Sequence, residues 1–170
     1  MRSIRQLVVM GGSADGNGNV TPAAEFNFFS DPVAADTVLG SGLPVTVVGL
    51  NVTEQARLPR VRFEARRHAM PAGPLSAYLG DISSPYFDFC RKESGVDACA
   101  LHDPLAVAVA ISPDLVKCET MACKVVTSQG LARGAMISDR AKSGRRSTRV
   151  ATAVDAEGFL ELFLGVVCAP

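Results

Sequence analysis

The chain carries no surplus of charge. Lys plus Arg and Asp plus Glu each total 17, so no long-range field exists to gather a polyanion or an anionic bilayer. Nucleic acid and charged membrane surfaces are therefore excluded as partners held by bulk charge, and any partner has to be recognised locally. No apolar run approaches the ~20 residues that span a bilayer, and residues 1–5 lead into a strand-like run and not into a signal sequence. The expectation is a cytoplasmic protein with no membrane partner. Histidine is scarce, with His68 and His102 the only two. The cysteines, Cys90, Cys99, Cys118, Cys123 and Cys168, are odd in number and none sits in a CxxC pair. That excludes a disulfide framework and a zinc ribbon, and the five read as small buried apolar residues. A GxxxxGK[ST] phosphate loop is missing, and Gly11, Gly12, Gly16 and Gly18 do not fall into GxGxxG register. There is no internal repeat and no linker, so residues 1–170 are expected to form one domain.

What is present is an ordinary globular composition, 48% hydrophobic and 20% charged, enough to exclude disorder. A chain of this length can bury roughly 70% of its unfolded surface. Residues 4–10 (IRQLVVM) read as a buried parallel strand that delivers the polar stretch 11–27 (GGSADGNGNVTPAAEFN) at its C-terminal end, where open α/β sheets bind ligands. Glycines let that backbone turn tightly and approach a ligand, while Asn and Glu can exchange hydrogen bonds with hydroxyls, so a sugar matches it. A Gly/Asn-rich turn without a ligand has the same composition. Asp31 as N-cap and Pro32 at the first helical position start a helix that Gly40 and Gly42 stop, and residues 44–50 (PVTVVGL) form the next buried strand. Strand, helix, strand is a βαβ unit, which predicts an α/β fold with a parallel or mixed sheet.

Further along, Arg57, Arg60, Arg62, Arg66 and Arg67 allow an anion site or a solvated amphipathic face, the latter favoured by the interleaved Leu58, Val61 and Phe63. Residues 74–93 carry Leu75, Tyr78, Leu79, Ile82, Tyr86, Phe87 and Phe89 at mostly helical spacing. Pro85 is expected to break or kink that helix, its aromatics to enter the core, and Gly95 to end it. His102-Asp103-Pro104 reads on its own as a helix start with Asp103 as cap. Residues 119–127 and 131–137 predict a hairpin, residues 142–146 (KSGRR) an exposed loop, and residues 148–154 a last strand. Asp155 then caps a final amphipathic helix over 159–167.

Taken in order, VVMGG, GNVTPAAEFN, DPVAADTVLGSG, PVTVVGL and CALHDPLAVA resemble the C-terminal part of the inosine-uridine preferring nucleoside hydrolases, over essentially the whole chain. The resemblance implies an open, Rossmann-like α/β sheet, mixed but mostly parallel, flanked by helices and incomplete relative to the family. It implies calcium-dependent hydrolysis of the N-glycosidic bond of ribonucleosides to ribose and free base, in a homo-oligomer. By position, Asn19, Glu25, Phe26 and Asn27 would bind ribose, Asp103 would be a calcium ligand, and His102 would be catalytic at the leaving base. The family's DxDxxxDD cluster after its first strand has no counterpart, since no two acidic residues are adjacent, and Asp103 alone cannot supply the 6 to 8 oxygens calcium takes. The expectation is therefore an enzyme that works once a missing N-terminal segment joins it, through a sheet whose uncovered faces favour association. The alternatives are a non-catalytic ribose- or nucleoside-binding or interaction protein, or an inactive fragment.

Overall fold

The computed structural model describes residues 4–139 and 147–169; the loop expected at residues 142–146 lies outside them. Strand β1 (Leu7–Met10) passes through the 11–25 loop into the short helix α1 (Phe26–Ser30) and then α2 (Pro32–Gly40), which returns the chain to β2 (Val45–Val48). Asp31 caps α2 as expected, its Oδ1 accepting from Ala34 N–H at 2.9 Å with Pro32 in the first turn. β1 and β2 pair in parallel with Leu7 opposite Val45 and Met10 opposite Val48, completing the βαβ unit. Next come α3 (Leu50–Thr53), β3 (Arg57–Pro59), α4 (Arg60–His68), α5 (Pro74–Ser94), β4 (Ala98–Ala100) and α6 (His102–Ile111). Strands β5 (Val116–Val125), β6 (Met136–Asp139) and β7 (Ser147–Val154) and helix α7 (Ala156–Val167) follow.

The main sheet has the order β1-β2-β7-β5-β6, and β3 pairs separately with β4. The mixed α/β sheet is as expected, but its parallel part stops at β1, β2 and β7. β7 meets β5, and β5 meets β6, in antiparallel ladders, and β3 with β4 is antiparallel too. The cause is the 116–154 excursion, which turns back on itself before rejoining the sheet. Its hairpin is displaced from the expected bounds because residues 131–134 are turn, so β6 starts only at Met136. β1 is half-buried and not buried, being the edge strand of the described sheet, whereas β2, paired on both sides, is buried throughout.

Strand alternation divides the core in two. Val45 and Val47 of β2 and Val150 of β7 join Phe28, Leu39 and Met121 on one face. Val48 and Ala151 join Val52, Phe63, Phe87, Leu105, Phe159 and Leu164 of the helices on the other. Each large side chain so enclosed contributes about 1.5–3 kcal/mol relative to exposure. The arginine-rich segment is the amphipathic face favoured by its pattern: Phe63 is buried, and Arg62 pairs with Glu157 and Glu161, both at 2.8 Å, tying α4 to α7.

Three further expectations are corrected. α5 runs through Pro85 without interruption, ending at Gly95 with φ 73°. Only Phe87 of its aromatics is core; Leu75, Tyr78, Ile82, Tyr86 and Phe89 form an exposed stripe along one side, Tyr86 and Phe89 stacked at 6.5 Å. Helical spacing fixes which residues share a face but not whether a neighbour covers it. Of the cysteines, Cys99 and Cys123 are buried, while Cys90, Cys118 and Cys168 are half-buried; none forms a disulfide. Burial, with the Cys90 thiol as neighbour, pushes Cys99 up to about 12. Among the described residues no helix is long and apolar enough to cross a membrane.

Candidate functional site

Parallel pairing of β1 with β2 brings the loops that follow them to the same edge of the sheet, the position where open α/β sheets hold ligands. Gly11 N–H donates to Val48 C=O at 3.3 Å, and Leu50 N–H donates to Gly12 C=O at 2.9 Å. Gly12 adopts φ 65°, a left-handed conformation that needs glycine, and this turn directs its carbonyl to the start of α3. Asn51 then ties α3 to both neighbours: its Oδ1 accepts from Ala14 N–H at 3.2 Å and its Nδ2 donates to Ala151 C=O at 2.8 Å.

The returning half of the loop is organised by Glu25, only 2% exposed. Its Oε2 accepts from Gly12 N–H at 2.9 Å and Phe28 N–H at 3.0 Å, and its Oε1 accepts from Asn27 N–H at 2.7 Å. The carboxylate is thus both the cap of α1 and the pin that closes the glycine turn. Asn19 Oδ1 accepts from Phe26 N–H at 2.9 Å, leaving its amide N–H groups unengaged by that bond. Asn27 Nδ2 donates to Met10 C=O at 3.4 Å, and Phe26 is 58% exposed. Four sequence-derived candidates therefore share the 11–25 loop and the first turn of α1, with Glu25 buried and Asn19, Phe26 and Asn27 exposed.

Asn19 opens onto a polar cavity of about 210 Å³ lined also by Asp15, Asn17, Gly18, Leu50, Asn51 and Glu54. Burial would raise the Asp15 pKa, but hydrogen bonds from Ser13 at 2.5 Å and from Asn17 outweigh it and hold the carboxylate below its ordinary range. On the far side stands His102, delivered by β4 through the Leu101 N–H bond to Ala56 C=O. Its Nδ1 lies 2.7 Å from Thr53 Oγ1 and its Nε2 3.9 Å from Glu54 Oε1. Glu54 also pairs with Arg57. The cavity, Glu54 and His102 are therefore contiguous.

Asp103 is the exception. It is exposed in the first turn of α6 and is not the cap, which is Leu101 without a side-chain bond. It borders instead an apolar groove between α6 and α7, with Val107, Phe159 and Phe163. The donor set for the implied calcium does not fit: among the described residues no three His, Cys, Asp or Glu side chains group so as to hold a metal ion. One exposed carboxylate falls far short of 6 to 8 oxygens.

Thr53, Glu54, Asn51 and Asp15 were not singled out from the sequence. The usable sign was the NVTE stretch directly after the second buried strand, since both strand ends of a parallel pair contribute to such a site.

The sequence matches the family model described as inosine-uridine preferring nucleoside hydrolase over residues 1–161. It is 35% identical over 164 residues to the pyrimidine-specific ribonucleoside hydrolase RihA of Shewanella sp. (strain MR-4), covering 95% of this chain and 51% of that protein. To uridine nucleosidase 1 of Arabidopsis thaliana it is 34% identical over 167 residues, covering 93% and 49%. The fold superposes on that of the plant nucleoside hydrolase PpNRh1 with a TM-score of 0.89 at 30% identity, over 97% of this chain and 54% of that one. The chain spans about half the length of the curated relatives it matches. Matched in sequence from residue 1 to residue 161 and in fold over nearly all its length, the chain belongs to the inosine-uridine preferring nucleoside hydrolase family.

Proposed function

We propose that the loop 11–27, α3 and His102 form one wall of a site that hydrolyses ribonucleosides to ribose and free base. The observation that carries this reading is the polar cavity at the ends of β1 and β2, with Asn19 and Glu54 on its lining and His102 beside Glu54, in a chain of this family. The amide groups of Asn19 and Asn27 exchange hydrogen bonds with ribose hydroxyls, and the exposed Phe26 ring packs beside the sugar. Glu25 serves ribose chiefly by fixing the backbone that presents those two amides. Breaking the C1′–N bond builds positive charge on the sugar, which hydrogen bonds and nearby carboxylates such as Glu54 stabilise more strongly in the transition state. His102 donates to the departing base, a role an imidazole fills near neutral pH.

Among the described residues no side chains compose a calcium site. Because the relatives are about twice as long, the test supplies their remaining half: this chain is mixed with the unmatched half of such a relative and ribose release from uridine and inosine is followed with and without calcium. Release that falls ~10²–10⁴-fold in His102→Ala and more modestly in Asn19→Ala supports the reading. No release in the mixture, with no calorimetric binding of ribose or nucleoside by the chain, overturns it. Binding without release in the mixture favours the non-catalytic alternative.

The exposed α5 stripe supports association, with further copies or with such a half, and light scattering showing a monomer throughout would count against it. Five cysteines without a disulfide are compatible with a reducing cytoplasm as its compartment.

A further inference from the structure

We infer that Thr53 is the positioning residue of His102: its hydroxyl donates to Nδ1 and holds the neutral imidazole in the Nε2–H form, with that proton directed toward Glu54 at the edge of the polar cavity. The inference rests on the proposed role of His102 but concerns a residue and a proton that role does not specify.

Among the described residues each ring nitrogen faces a polar group. Thr53 Oγ1 stands 2.7 Å from Nδ1, within hydrogen-bond range, and Glu54 Oε1 stands 3.9 Å from Nε2. A neutral imidazole donates from one nitrogen and accepts at the other, so the two neighbours decide the tautomer together. A carboxylate only accepts and repels a lone pair, which places the proton on Nε2. Nδ1 is then an acceptor, and the Thr53 hydroxyl, free to rotate about its C–O bond, supplies the donor. The opposite tautomer would set the Nε2 lone pair facing the carboxylate. Thr53 is fully buried, at 0% exposure, so water does not compete for the hydroxyl.

The support behind Thr53 is rigid. Its N–H donates to Gly49 C=O at 3.0 Å, and a Cβ at Gly49 would meet Gly12 C=O at 2.8 Å, so α3 is seated directly on the glycine turn. The side chain that orients the imidazole is thereby fixed relative to the loop that carries Asn19. For a leaving base that needs a donor, the Nε2–H form is the useful one.

The tautomer can be read without substrate. With His68→Gln the chain holds a single imidazole, and its ¹⁵N shifts are recorded at pH about 8.5, above the ordinary histidine value of ~6.5. The expected spectrum has a pyrrole-like Nε2 and a pyridine-like Nδ1. Thr53→Val should move both resonances toward the averaged values of a mixed population, and Thr53→Ser, which keeps the hydroxyl, should restore them. A predominantly Nδ1–H imidazole in the parent chain overturns the inference, as does a Thr53→Val spectrum identical to the parent. Should Thr53→Val fail to fold, the parent tautomer and its persistence in Thr53→Ser decide the matter, a changed tautomer in Thr53→Ser counting against it. In the mixture described above, Thr53→Val should lower kcat by at least 10-fold (roughly 1.4 kcal/mol) with little change in KM. If ribose is never released while the tautomer behaves as stated, the proposed hydrolysis fails and the positioning of His102 stands.

Discussion

Glutamine in place of Glu25 keeps the shape of the side chain and replaces one carboxylate oxygen with an NH₂ group. The native carboxylate accepts three backbone N–H groups, two at Oε2 and one at Oε1. In its better orientation the amide oxygen takes the Oε2 place and keeps Gly12 and Phe28, while the NH₂ faces the Asn27 N–H, donor against donor. The reverse orientation loses two bonds. Losing that one part-buried bond to a charged acceptor, and setting its donor against another donor, costs about 1–3 kcal/mol. For a chain of this size each 1 kcal/mol moves Tm by about 2–4 °C, so Glu25→Gln should lower it by roughly 2–12 °C. Glu25→Ala, which removes all three acceptors, should lower it further. Circular dichroism melts give the global number, and amide hydrogen exchange locates it: Asn27 should lose protection while Gly12 and Phe28 keep theirs. A Glu25→Gln protein with the parent Tm and a protected Asn27 amide would refute the pin.

Two further outcomes follow from the same geometry. Gly18→Ala places a Cβ 2.1 Å from Thr21 C=O and 2.3 Å from Ala24 N, so the loop backbone must shift, at about 1–3 kcal/mol; an unchanged Tm and unchanged Asn19 side-chain amide resonances would contradict it. Glu161 lies below the usual carboxylate range because Arg62 hydrogen-bonds it and Arg66 stands close. Its folded value is below its unfolded one, so its stabilisation is present above the unfolded value of ~4.3 and is lost as pH falls through the depressed value. Melting curves of parent and Glu161→Gln between pH 6 and pH 3, at about 0.1 M salt, should converge on the acid side; parallel curves would remove the pairing from the account of α4 and α7.

Much of this was visible in the chain itself, for local reasons. Asp31-Pro32 and Asp155 start helices by chemistry confined to a few residues, with Asp155 Oδ1 accepting from Gly158 N–H at 3.0 Å. Gly-Gly after an apolar run announced the loop. What could not be read depends on distant partners. Asp103 before Pro104 repeats the Asp-Pro pair of Asp31 before Pro32, yet of the two only Asp31 caps, because β4 enters α6 two residues earlier, at Leu101. Glu25 caps α1 through its neighbours Asn27 and Phe28, but its third bond, to Gly12 thirteen residues away, depends on the fold. Thr53 became noticeable only once β4 brought His102 to it across 49 positions. The α5 aromatics show the same limit, since their exposure depends on what lies opposite and not on their own period.

Gly12 engages both of its backbone polar groups, the N–H by Glu25 and the C=O by Leu50. The 11–25 loop and the helix that carries Thr53 are thus geared through one residue with no side chain. A displacement of either is transmitted to the other as a rotation of the backbone about Gly12, by way of the buried Glu25 carboxylate on one side and the Leu50 N–H on the other. A change of charge or length in the loop near Asn19 should therefore be heard at the imidazole of His102, even where no atom of the altered residue comes near it.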